Sequence, residues 1–419
     1  MSYLKLGLIL MLTYVVLSSC KENSDFQTIE YENKYQFSDQ IQNELKESNR
    51  FGKHQYAAWD YAFKADYKNA LIEWDIARTP QIESFSKEEK DSLKNKYTVL
   101  NASEYISKIS SQYEIIIINE AHHNSYHRFF TKKLLKKLFQ KGYRNLGLEA
   151  LANGKERDTK LNSRGFPNLD SGFYIKDPQF ADLVRTALDL GYNVFPYEQT
   201  SGSSGKQREI EQAKNIQAFL KKQKKGKTII HCGFGHAFEG AFPGLEKTMA
   251  GRLKEYTGFD PLTIDQVAYS EKSTLENSHP LLNTFRVKES SILIEKDTGK
   301  PLKYTQGTSE TDIAVLHPFT SYTNNRPDWM FSDEKSPISI DFSELKLDFP
   351  IMVFGYLKIE GRKNTIPVDI VEITDKQDNN RLLLKGGLYE IILSDRKGKS
   401  FTKEISVKPK KIKMSKSYD

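Results

Sequence analysis

Glu114-Ile115-Ile116-Ile117-Ile118-Asn119-Glu120-Ala121-His122-His123 runs an unbroken apolar segment into a cluster of ionisable groups. Four consecutive isoleucines leave neither face of an extended segment polar, which a strand covered on both faces of a parallel sheet requires. Phe130, Leu134, Leu135, Leu138 and Phe139 follow at helical spacing, with Lys132, Lys133, Lys136 and Lys137 on the opposite side and Gly142 as the stop.

The alternation continues outward from there. Strands are expected at residues 145–148, 192–197, 228–232, 262–267 and 313–316, with helices at 180–190, 209–222 and 245–256 between them. Strand and helix in turn predict an α/β domain over residues 101–332, built on a mostly parallel sheet with helices on both faces. From 333 to 409 the texture becomes short strands at 351–359, 366–373, 387–393 and 401–407, separated by Gly-, Asn- and Asp-rich turns. That pattern predicts a C-terminal antiparallel β domain. The basic residues 410–419 close the sequence as a solvated tail.

Upstream, Tyr56-Ala57-Ala58-Trp59-Asp60-Tyr61-Ala62 and Asp66-Tyr67-Lys68-Asn69-Ala70-Leu71-Ile72-Glu73-Trp74 read as one helical hairpin of tetratricopeptide type within residues 51–100. A single such unit cannot bury its own apolar face, so it is expected to cap the main domain. Residues 20–50 read as a polar tether entering a helix near 37–45. Residues 1–19 carry Lys5, an apolar run and Leu17-Ser18-Ser19 before Cys20. This is the layout of a signal peptide ending in a lipobox, with an apolar run shorter than the roughly 20 residues that span a bilayer.

The expected address is therefore the cell envelope, outside the cytoplasm, at the outer membrane or a periplasmic face, with the membrane as partner through lipidated Cys20. Only Cys20 and Cys232 occur, so lipidation of the first leaves no intrachain disulfide. The net charge of +7 is spread through 62 basic and 55 acidic residues, which points away from nucleic acid; a small-molecule or peptide substrate is the expected partner besides the membrane.

Open α/β sheets bind ligands beyond the carboxyl ends of their strands. The expected strands run into Glu120 and His122-His123, into Glu149, into Glu198, and into His231 with His236 beyond a glycine turn. A carboxylate after a strand is often a helix cap and a histidine there is often a packed core residue. Convergence of so many ionisable groups is harder to explain by packing, because each buried charge costs several kcal/mol unless paired. Cys232, inside a strand, reads as a small core residue. Ser201-Gly202-Ser203-Ser204-Gly205-Lys206-Gln207 lacks the glycine and hydroxyl residue of a phosphate loop and reads as a flexible loop beside the crevice.

Glu120-Ala121-His122-His123 after a buried strand, Glu149 ending the next, Arg208-Glu209 opening a helix, and His231-Cys232-Gly233-Phe234-Gly235-His236 together resemble the superfamily of erythromycin esterases, ChaN-like iron-regulated lipoproteins and Tiki-type proteases. The resemblance covers residues 114–269, with Asn119 standing where the family usually has glycine. It implies three readings. In the hydrolytic one, an ester or amide is cleaved by water, with His123 as base, Glu120 and Glu149 as orienting or proton-relaying carboxylates, and His236 as a second acid/base or oxyanion partner. His122, Glu198, Arg208 and His231 would contact substrate. In the Tiki-like reading, Glu120, His123, Glu149 and His236 hold zinc, manganese or iron for a metal-dependent protease. In the ChaN-like reading the protein binds haem or iron through His122, His127 or Tyr126.

Overall fold

The computed structural model describes residues 26–78, 83–223, 225–332 and 334–410. The signal peptide, Cys20 and nearly all of the basic tail lie outside the described residues. Among these residues no helix is long and apolar enough to cross a membrane.

The chain forms a mixed α/β fold with one large, mostly parallel sheet and additional antiparallel sheets. The large sheet contains β1 (Tyr97–Asn101), β2 (Ile115–Glu120), β3 (Tyr143–Leu148), β4 (Asn193–Pro196), β5 (Lys227–Gly233), β6 (Leu262–Asp265), β7 (Ser291–Glu295) and β8 (Ile313–Leu316). Their order is β1-β7-β8-β6-β2-β5-β3-β4. The six from β8 to β4 are parallel, and β7 and β1 add to the edge in antiparallel fashion.

Both faces of β2 are covered, as the isoleucine run requires. Ile116 and Ile118 pack with Phe129, Leu135 and Val184 on one side, and Ile115 and Ile117 pack with Ala213, Ile216 and Leu253 on the other. Full burial of each such side chain is worth about 1.5–3 kcal/mol. The helices supplying the covers are α3 (Ser125–Gln140) and α4 (Pro178–Leu190) on the first face, α5 (Gly205–Lys222) and α6 (Met249–Thr257) on the second. With β5 inserted between β2 and β3, the strand order reverses at β2, β5 and β3, and their carboxyl ends lie side by side. That reversal opens the crevice where α/β sheets place their ligands.

The helical hairpin forms from α1 (Lys53–Phe63) and α2 (Tyr67–Ala77), which pack on each other. Asp66 caps the second helix by accepting from the Asn69 N–H at 3.3 Å.

Three boundaries differ from the expectation. The tether is folded from Gln27 onward: Gln27–Ile29 pairs with the C-terminal strand Ser400–Val407, and Tyr31 and Tyr35 pack on Phe354. Its polar composition concealed aromatic residues that pair far along the sequence. Residues 97–100, expected in the hairpin unit, instead form with Asn101 an edge strand of the large sheet, with Val99 and Leu100 exposed. The C-terminal antiparallel sheet, of Ile351–Leu357, Asp369–Ile373, Gly387–Asp395 and Ser400–Val407, thereby takes its fifth strand from the other end of the chain. Gly205, placed in a loop by its neighbours' composition, begins α5.

Candidate active site

Glu120 ends β2, and its carboxylate is buried. An isolated carboxylate there would be neutralised; burial pushes its pKa up, but the Arg128 guanidinium, its hydrogen bonds and that of His122 hold it well below the usual range. Arg128 stands on α3, two turns past Glu120, and donates from Nε to Oε2 and from Nη2 to Oε1, each at 2.7 Å. Its Nη1 donates to Asp177 at 2.6 Å, and the ring of Phe180 lies 4.6 Å from the guanidinium carbon. Glu120 is thus a fixed anion.

His122 binds that anion through Nδ1, 2.9 Å from Oε1 of Glu120. An ionised carboxylate only accepts, so Nδ1 carries a proton, and in the neutral imidazole Nε2 is the atom that holds the lone pair. The imidazole stacks on Tyr174, with centroids 4.0 Å apart, and meets Phe234 edge-on at 5.1 Å. Beneath the ring runs Gly233, where a Cβ would stand 2.4 Å from Cε1 and 2.5 Å from Nε2. Only glycine lets the backbone pass so close.

Glu149 follows β3 and accepts from the Gly233 N–H and, at 2.6 Å, from Nη2 of Arg208. Burial alone would raise its pKa, but His236, His122, Arg208 and the Gly233 N–H bring it to about 2. Arg208, in the first turns of α5, also binds Glu198 through Nε at 3.0 Å. It is the most open member of the group, with 33% of its side chain exposed.

His236 lies in the single turn Phe234–Ala237 after β5. Its Nδ1 is 2.8 Å from Glu209, whose other oxygen accepts from the Met249 N–H opening α6 at 2.6 Å. Its Nε2 is 3.6 Å from Glu149. Burial disfavours the imidazolium, but Glu149 and Glu209 outweigh that and raise the pKa. Two imidazoles therefore lie near one carboxylate: His122, held through Nδ1 by Glu120, and His236, whose pKa is raised.

Glu120, His122, Glu149, Glu198, Arg208 and His236 are brought together at one rim, but two expected members are set aside. His123, read as the base, stacks flat on Trp74 of the hairpin at 4.0 Å, and its buried Nδ1 has no hydrogen-bond partner. Burial keeps it neutral by lowering its pKa well below the ordinary value. Successive side chains leave a strand end in different directions, and here the nearer histidine meets Glu120. His231, read as a substrate contact, is buried behind Glu120 with Nε2 3.7 Å from Oε2 and its ring edge-on to Phe180. Burial holds its pKa near about 4.

The metal reading does not fit these positions. Among the described residues no three His, Cys, Asp or Glu side chains converge as a metal site. Both oxygens of Glu120 are held by Arg128, and His123 is turned toward Trp74. Of the expected haem ligands, His127 accepts from the Ala121 N–H at 2.9 Å inside the core and Tyr126 packs on His317 and Trp329, away from the rim, while His122 stands at the rim on Glu120. Cys232 is buried, with its thiol pKa pushed well up by burial.

Sequence reasoning missed Arg128, Asp177, Tyr174 and Trp74. Arg128 had one signal, a cation eight residues after Glu120 within the otherwise aromatic run Tyr126-His127-Arg128-Phe129-Phe130. Asn119, where the resembled family has glycine, ties three segments: its amide donates to Phe234 O at 2.8 Å and to Asp265, and its oxygen accepts from the Gln266 N–H at 2.8 Å.

No family model matches this chain, and no curated protein matches it. Solved structures with partial likeness include the type III effector HopBA1, at 12% identity over 51% of this chain and 93% of that one, with a TM-score of 0.33. The RRSP effector domain of a MARTX toxin from Vibrio vulnificus gives 17%, 47%, 44% and 0.28 for the same quantities. The C-terminal region of Pasteurella multocida toxin gives 10%, 87%, 59% and 0.30. The chain spans 43% of a further structure described as bacterial protein toxins. Likenesses this slight carry no argument about function.

Proposed function

We propose that the protein is an envelope lipoprotein hydrolase, anchored through Cys20, that cleaves an ester or amide by activating water. The observation that carries the reading is the Glu120–His122 pair: an ionised, doubly held carboxylate at 2.9 Å from Nδ1, which leaves Nε2 as the basic atom. In the reaction His122 Nε2 takes a proton from water as its oxygen adds to the carbonyl. Glu120 steadies the resulting imidazolium. His236 gives a proton to the leaving oxygen or nitrogen, and Arg208, the exposed cation of the group, offsets charge on the substrate or on the tetrahedral adduct. The hairpin serves as the cap, because Trp74 lies on both His123 and Phe234, and Phe234 in turn on His122.

The test is a panel of chromogenic esters and peptides, assayed with and without chelator. His122→Ala is expected to lose about 10²- to 10⁴-fold in kcat, the usual share of a general base. Full activity of that variant on a substrate the wild type cleaves overturns the proposal. Loss of activity and of a stoichiometric metal on chelation moves it to the metal-dependent class.

A further inference from the structure

A cavity of about 520 Å³ lies apart from the Glu120–His122 centre, between α3, the start of β7 and the segment after β8. Its size is that of a small-molecule site, and such sites join an apolar wall to a few placed polar groups. The wall here is aromatic. Tyr126, Phe129 and Trp329 pack on one another with centroids 5.1 to 5.6 Å apart and all line the cavity. The mouth is cationic: Arg286 and Lys288 are both exposed lining residues. Of the acids there, Glu289 already accepts from the Asn101 amide at 2.7 Å, and Asp328 lies exposed beside Trp329.

The polar element of the wall is an ordered chain. The Ser290 hydroxyl, which lines the cavity, is 3.3 Å from the Tyr126 hydroxyl and 2.9 Å from His317 Nδ1. His317 Nε2 is 3.0 Å from Gln266 Oε1, and the Gln266 amide donates to Asn119 O at 2.6 Å. Because Gln266 spends its N–H on Asn119, its oxygen accepts, so His317 is protonated at Nε2 and Nδ1 accepts from Ser290. The Tyr126 O–H is then the donor to Ser290, whose oxygen retains one lone pair.

We infer that this cavity is a binding site for a small aromatic carboxylate, its ring on Tyr126, Phe129 and Trp329 and its anionic group at Arg286 and Lys288. The three rings stand at 45° to 88° to one another, so a flat ligand ring meets them through edge and offset contacts that a flexible chain does not offer. Arg286 supplies a planar fork that matches a carboxylate. The site is independent of the hydrolase reading, although its polar chain ends on Asn119, the residue before Glu120.

The test titrates the purified full chain with 1-naphthoate by calorimetry and by quenching of tryptophan fluorescence, alongside 1-naphthylmethylamine as the cationic counterpart. Saturable binding of naphthoate at one site is expected, with the amine at least about tenfold weaker, a difference of 1.4 kcal/mol. The double variant Arg286→Asn, Lys288→Gln is expected to weaken naphthoate by about tenfold or more and to melt normally. Asparagine is chosen because Arg286 has φ +40°, a left-handed conformation that it tolerates. Trp329→Phe should remove most of the quenching while calorimetric binding persists. Absence of saturable binding to the folded protein, equal binding of the amine, or indifference to the double variant each overturns the inference.

Discussion

Arg128 holds Glu120 through two parallel hydrogen bonds of 2.7 Å, and neither side chain is more than 2% exposed. A carboxylate so buried depends on its partner. Removing the partner of a buried ion pair costs about 3–5 kcal/mol, and Arg128→Met should lose that much in urea unfolding. Arg128→Lys should not restore it, because a single ammonium cannot span Glu120 and Asp177 as the fork does. Wild-type stability in either variant would show that the pair is dispensable.

The neighbouring histidines should behave oppositely. His122→Ala removes the imidazole on Glu120 and should lower kcat by about 10²- to 10⁴-fold with a smaller change in melting temperature, because Arg128 still holds the carboxylate. His123→Ala empties the slot against Trp74 and should lower stability, with kcat largely kept. Melting curves and kcat measured on both variants decide the matter, and the reverse pattern returns the base to His123.

Gly233→Ala is expected to damage the site more than its one methyl suggests. The added carbon would fall 2.4 Å from the His122 ring, so the imidazole must leave Glu120 or the strand end must shift. Activity should fall at least about tenfold, the effect of a misplaced catalytic group. An unchanged kcat together with an unmoved His122 resonance in NMR argues against the close packing.

The pH dependence of stability follows from Glu149. Its folded pKa, near about 2, lies below the ordinary value of 4.5. The contribution is therefore fully present above pH 4.5 and is lost as pH falls through that window toward 2. His236 has the opposite sign: its raised pKa stabilises below 6.5, and the gain fades as pH rises through the folded value. Glu149→Gln should flatten the acid limb of a plot of unfolding free energy against pH and also weaken the His236 limb, since the two groups are partners. A limb of unchanged slope in the variant would assign acid sensitivity elsewhere.

Much of the central sheet was legible because its strands announce themselves locally. Ile115 to Ile118 permits no amphipathic alternative, and residues after such strands must gather at the rim. Glu120, Glu149, Glu198 and His236 were located by that logic alone. The edge strand Tyr97–Asn101 was not, since its exposed Val99 and Leu100 give no burial pattern and its partner lies almost 200 residues away. Gln27–Ile29 was hidden for the same reason. The choice between His122 and His123 turns on side-chain direction at a strand end, which composition does not encode. Arg128 escaped because a buried cation inside an aromatic helix face reads as an error of pattern until its carboxylates are seen.

The pairing of Gln27–Ile29 with Ser400–Val407 also sets a length. Six residues lie between Cys20 and Gln27, which makes seven steps from one to the other, and a fully stretched chain covers at most about 3.6 Å per step. With a lipid on Cys20, the first locked residue stands no more than about 25 Å from the bilayer surface. Under the proposed anchoring the C-terminal β sheet would be the part of the fold tied nearest the membrane, on a leash of a few residues in place of the long tether.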